Sequence, residues 1–199
     1  MAYPAIEAPY GLLPINLIGG QVFAGSTRQI PIAVNSATAI FYGDVVKLIS
    51  DGTLEKDTGT SAATPVGVFL GCTYVDPTFG LTFRQYYPGT TNISGITAYV
   101  LDDPDALFKV AVVSSGTTMS FMNRTSVGNN AVLVQNSGQT STGNSRVAVS
   151  STTATTSTWP VRVIDVIPDT ARAGNPGSYT EVIVKWNQGM HQYLNPTGV

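Results

Sequence analysis

Ile96-Thr97-Ala98-Tyr99-Val100-Leu101-Asp102-Asp103-Pro104-Asp105-Ala106-Leu107-Phe108-Lys109-Val110 is the stretch on which the reading of this chain turns. Two runs of strand-forming residues flank three carboxylates and a proline. Proline fixes φ after Asp103, and short Asp side chains bond nearby backbone amides, so the acidic run reads as a corner between two strands. Three carboxylates this close could instead hold a hard cation. An EF-hand, however, needs glycine at its sixth and glutamate at its twelfth position, where this chain continues into Ala106-Leu107-Phe108. Glycoside hydrolysis needs two carboxylates facing each other across a cleft, one of them in an apolar pocket, and adjacent solvated aspartates do not supply that. A calcium site of another kind, using Asp102, Asp103, Asp105 and Asp76, is the competing reading.

Outward from this corner the same signals recur. Ala39-Ile40-Phe41-Tyr42, Asp44-Val45-Val46-Lys47-Leu48-Ile49 and Val66-Gly67-Val68-Phe69-Leu70 precede it. Ala131-Val132-Leu133-Val134, Val147-Ala148-Val149, Val161-Arg162-Val163-Ile164-Asp165-Val166-Ile167 and Glu181-Val182-Ile183-Val184-Lys185-Trp186 follow it. Short runs at this spacing, separated by Gly, Asp and Pro, predict an all-β fold, an antiparallel β-barrel or sandwich. No amphipathic helix interrupts them, which excludes a parallel α/β sheet. The Ser/Thr/Gly-rich residues 137–158 read as loops and exposed strands. Residues 31–199 form the body, with two small β subdomains divided near residues 114–140 as the alternative partition.

Residues 1–30 carry Pro4, Pro9 and Pro14 among apolar groups, which predicts an extended N-terminal arm. Its Tyr3, Ile6, Tyr10, Leu12, Leu13, Ile15 and Leu17 need an apolar surface, either that of a neighbouring subunit or that of the chain's own core.

Only 11% of the 199 residues are charged, less than half the usual share of about 25%, while Ser and Thr supply about a fifth. A surface this poor in charge is easier to keep soluble if other subunits cover part of it. The ten basic residues are scattered and the formal net charge is -2, so no nucleic-acid footprint is present. The single cysteine, Cys72, sits in an apolar context and reads as a buried small hydrophobe. The N-terminal apolar run is too short and interrupted for a signal peptide or membrane span, so a soluble product made in the cytoplasm is expected. His191, the single histidine, reads as a surface or interface residue, since no nucleophile elbow or phosphate loop accompanies it. No catalytic residue, cofactor or metal is assigned, and the chain reads as non-enzymatic.

Taken in order, Ala39-Ile40-Phe41-Tyr42-Gly43-Asp44-Val45-Val46-Lys47-Leu48, Val66-Gly67-Val68-Phe69-Leu70-Gly71, Tyr99 through Val110, Val127-Gly128-Asn129-Asn130-Ala131, Ser141-Thr142-Gly143-Asn144-Ser145, Val161-Arg162-Val163-Ile164 and Val182-Ile183-Val184-Lys185-Trp186-Asn187 resemble the head decoration, or cement, proteins of tailed bacteriophages. The Gly43-Asp44 turn is expected to start a hairpin. The resemblance implies a virion protein on the outer surface of the capsid, partnered with the major capsid protein and with itself as a homotrimer, and stabilising the shell without chemistry. A tail, neck or head-fibre component is the alternative within the virion. A carbohydrate-binding module, with Trp159, Trp186, Tyr86, Tyr87 and Phe83 as stacking faces, is the alternative from another class.

Overall fold

Strand-forming residues occupy almost every regular element of the computed structural model, which describes residues 6–34, 36–90, 92–172 and 175–199. The first half holds β1 (Leu13–Leu17), β2 (Arg28–Pro31), β3 (Val45–Leu48), β4 (Leu54–Lys56), β5 (Gly67–Asp76), β6 (Gly80–Arg84) and β7 (Ser94–Leu101). The second holds β8 (Ala106–Ser115), β9 (Thr118–Met119), β10 (Asn130–Val134), β11 (Ala148–Ala154), β12 (Val161–Val166), β13 (Ala171–Arg172), β14 (Asn175–Tyr179) and β15 (Glu181–Trp186), with β13 and β14 as a small separate ribbon. The helical content of the described residues is two single 3-10 turns. The all-β expectation holds.

The strands form two larger sheets. In one, β8, β11, β10, β12 and β15 pair in succession and β15 returns to β8, closing a barrel. All its contacts are antiparallel except β8 with β11. β1 lies along the first residues of β8 and β9 along its last. The barrel is filled by Phe108, Val110, Val112, Leu133, Val149, Val161, Val163, Val184 and Trp186, and the rings of Phe108 and Trp186 sit 5.2 Å apart. The other sheet runs β2-β7-β5-β3-β4, its two ends linked by a single parallel bridge between Ile32 and Leu54, and is open along β6, which pairs with β5. Its core is Ile30, Val46, Leu54, Phe69, Cys72, Tyr74, Tyr87, Ile96, Ala98 and Val100.

β5 serves both cores. Val68 belongs to the barrel core and Phe69 to that of the open sheet, which explains why the run 66–70 is apolar at nearly every position instead of alternating. Gly67 permits this proximity, since a Cβ there would collide with the Leu101 carbonyl.

Three expectations are corrected. The changeover between the two sheets falls at residues 102–105, where β7 of the open sheet ends and β8 of the barrel begins, not near 114–140. Residues 39–42 supply isolated bridges at Ile40 and Tyr42, not a strand. The Gly43-Asp44 turn starts no hairpin; the hairpin joins β3 to β4 through Asp51-Gly52, where Gly52 takes φ +77°.

Candidate functional site

The three aspartates of the corner look in different directions. Asp102 accepts from Arg28 Nε on one side and from the Tyr193 hydroxyl at 2.9 Å on the other. Asp103 accepts from the Asp105 amide at 2.8 Å, the local bond of an Asp turn, while Lys185 Nζ lies 2.8 Å from Asp105 Oδ1. A shallow hollow of about 290 Å³ lies between Arg28, Asp102, Asp103 and Tyr193. Arg28 stacks over the Tyr193 ring at 5.6 Å, and burial followed by the bond to Asp102 pushes the Tyr193 pKa up to about 12. The run is a corner between sheets, tied by one ion pair to β2 and by another to β15. The described residues contain no cluster of three His, Cys, Asp or Glu side chains set to hold a metal.

Asp44 is the acid that organises the junction. Its side chain is fully buried and accepts from the Phe41 amide at 2.9 Å and from the Ser145 hydroxyl at 2.6 Å, with Lys56 Nζ at 2.9 Å. Ser145 Oγ in turn accepts from the Val147 amide at 3.0 Å. Gly11 and Gly43, both near φ +88°, pack against this knot, where a Cβ on Gly11 would lie 2.7 Å from Ser145 Cβ. The Leu12 amide donates to Gly43 O at 3.0 Å and the Gly11 amide to Val147 O at 3.1 Å. Chain start, open sheet and barrel are thus joined at one buried carboxylate. A second buried acid, Glu181, accepts from the Tyr10 hydroxyl and lies 3.3 Å from Lys109 Nζ. Burial, then Glu181, raises the Tyr10 pKa.

These contacts decide the N-terminal residues. Leu12 is fully buried in the barrel core, so it is a core residue of its own chain and not an intermolecular contact. Leu13, Ile15 and Leu17 lie half-buried in β1, and Ile6 and Tyr10 are half-buried beside it. Tyr3 lies outside the described residues. Residues 6–31 turn back on themselves at Ile18–Gly20 and contribute one strand to each sheet.

His191, expected at the surface or an interface, is fully buried within the chain. Its Nδ1 accepts the Tyr193 amide at 3.3 Å, and among the described residues Nε2 has no partner in full hydrogen-bond geometry. Burial lowers its pKa below the ordinary histidine value, against a weaker opposing pull from the Val66 backbone. Cys72 is buried as expected, and burial pushes its thiol up to about 12, far from a reactive thiolate. The aromatic residues that would make a sugar platform are dispersed. Trp186 and Tyr87 lie in different cores, Tyr86 stacks on Phe41 at 5.4 Å, and of the five only Phe83 is largely exposed. A cleft of about 480 Å³ beside Phe41 and Gln135 has one cation, Lys56, which is committed to Asp44.

What the surface does offer is the β5–β6 hairpin. Phe79, Leu81 and Phe83 are 74%, 77% and 65% exposed, with Val75 beside Leu81. Along β6 the apolar Leu81 and Phe83 face solvent while Thr82 and Arg84 are half-buried, the reverse of an ordinary surface strand. The Phe83 ring is held over Gly71, where a Cβ would come within 3.1 Å of it, and against Tyr99 at 6.0 Å between centroids. Among the described residues β6 pairs only with β5, so its other edge is bare. Sequence reasoning noticed Phe83 only as a sugar platform. The alternation in Gly80-Leu81-Thr82-Phe83-Arg84 was the signal that marks the strand.

No helix among the described residues is long and apolar enough to cross a membrane. No protein-family model, curated protein or solved structure matches the chain.

Proposed function

We propose that the chain is a non-enzymatic structural protein of a tailed-phage virion that binds the outer surface of the capsid and stabilises it by bridging major capsid subunits. The observation that carries this reading is the bare, apolar edge of the β5–β6 hairpin on a body poor in charge. Six of the ten basic residues sit in ion pairs, which leaves little cationic surface for nucleic acid and much uncharged surface for protein contacts. The buried acids Asp44 and Glu181 hold the fold together instead of facing a cleft. The ordered resemblance of residues 10–190 to decoration proteins supports the partner, the trimeric state and the virion location, with synthesis in the host cytoplasm.

Binding to the assembled shell in preference to free subunits would stabilise the shell by mass action, and several contacts per oligomer would add as avidity. The test is to add the purified chain to heads that lack it, count bound copies and measure thermal rupture. Saturable binding with a raised rupture temperature is expected. Absence of binding, or binding that leaves rupture unchanged, overturns the proposal.

A further inference from the structure

We infer that β6 is a self-pairing edge: a second copy of this chain docks antiparallel along it, across a two-fold axis at Thr82. An antiparallel edge is complementary to itself, because a two-fold rotation brings each strand's bare backbone groups onto the other's. Centred on Thr82, this register sets Leu81 of each copy opposite the partner's Phe83, two aliphatic–aromatic cross-strand pairs on the exposed apolar face.

Charge fits the same register. Arg84 would lie opposite the partner's Gly80, which within its own hairpin pairs with Asp76 on the same face. Neither Arg84 nor Asp76 forms an ion pair among the described residues. Each dimer would thus gain two Arg84–Asp76 pairs, with Asp76 Oδ1 also accepting from the Thr78 and Phe79 amides of its own turn. Phe79, Leu81 and Phe83 present roughly 400 Å² of apolar area per copy, about half of the ~800 Å² a stable partner surface needs. The strand's backbone edge and the flanking turn make up the remainder. Edges this apolar are otherwise blunted by charge or proline, and β6 has neither pointing outward on its apolar face. The proposed function gives this same edge to the capsid, so self-pairing in solution and docking on heads compete for it.

Light scattering of the purified chain from micromolar to sub-millimolar concentration tests it, together with Leu81→Lys, Arg84→Asp and Thr82→Cys. The wild-type mass should double with concentration. Leu81→Lys should weaken this association about 100-fold, the loss being counted in both copies. Arg84→Asp, which sets two acids together, should weaken it less and in a salt-dependent way. An unchanged melting curve for Leu81→Lys shows that it folds. Independently, Thr82→Cys should give disulfide-linked dimers on mild oxidation, and Thr152→Cys, exposed on β11, should not. A wild-type mass that stays constant, open-ended aggregation, or equal cross-linking at both positions would overturn the inference and leave the edge to a different protein.

Discussion

The barrel and the open sheet are built from the same kinds of residue and of nearly the same number of strands, yet they expose different things. In the barrel, β15 returns to β8, so its strands pair around the ring and its apolar side chains point inward. In the open sheet, β5 and β7 are covered by neighbours, but β6 ends the pairing with Leu81 and Phe83 turned to solvent. Closure spends hydrophobic residues on stability, and an open edge leaves some for a partner. On the proposed function, the closed half anchors the fold and the open edge makes the contact.

The largest effect should come from breaking the tie between the halves. Asp44→Ala would leave Lys56 buried without its partner and orphan the Phe41 amide, so a loss of about 3–5 kcal/mol is expected in denaturant titration. If both sheets then melt at separate midpoints, the knot is what makes them one cooperative unit.

Phe108→Ala in the barrel core should cost about 3–5 kcal/mol, because it opens a cavity next to Trp186. Phe83→Ser on the open edge should cost under ~1 kcal/mol, because that ring is already mostly in water. Equal costs would mean that the hairpin is packed against something in the monomer, and the contrast between the halves would fail.

The next effect is pH-dependent. His191 has a folded-state pKa below its unfolded value near 6.5, so the unfolded chain binds the proton first as pH falls. Stability should therefore be full above about pH 6.5 and decline below it until the folded-state pKa is reached. His191→Gln should flatten that part of the curve, as read by thermal melts across pH. A wild-type curve that rises on acidification contradicts the buried neutral imidazole.

How much of this was legible in the sequence depends on whether the cause was local. The strands of the barrel were visible because β-branched runs such as 161–167 need no partner to be recognised. The acidic corner was visible as an Asp turn, but a hairpin and a crossing between sheets use the same turn chemistry, so its place as the changeover could not be read. Asp44 looked like any Gly-Asp turn because Ser145, which buries it, is 101 residues away. β1 and β2 were hidden by the prolines that suggested an extended arm, although Pro14 and Pro31 sit where β1 and β2 pair with their neighbours. In β6 the alternation was plain, but its polarity is inverted, and a sequence alone does not say which face of an edge strand meets water.

Hydrogen–deuterium exchange of the chain, alone and docked on expanded heads, tests the division of work most directly. Amides of the barrel strands should be protected in both states, and those along residues 79–84 should exchange quickly in the free chain, held dilute enough to stay unpaired, and slow sharply on docking. Unchanged exchange at β6, with new protection appearing over the barrel instead, would contradict the assignment of contact to the open sheet.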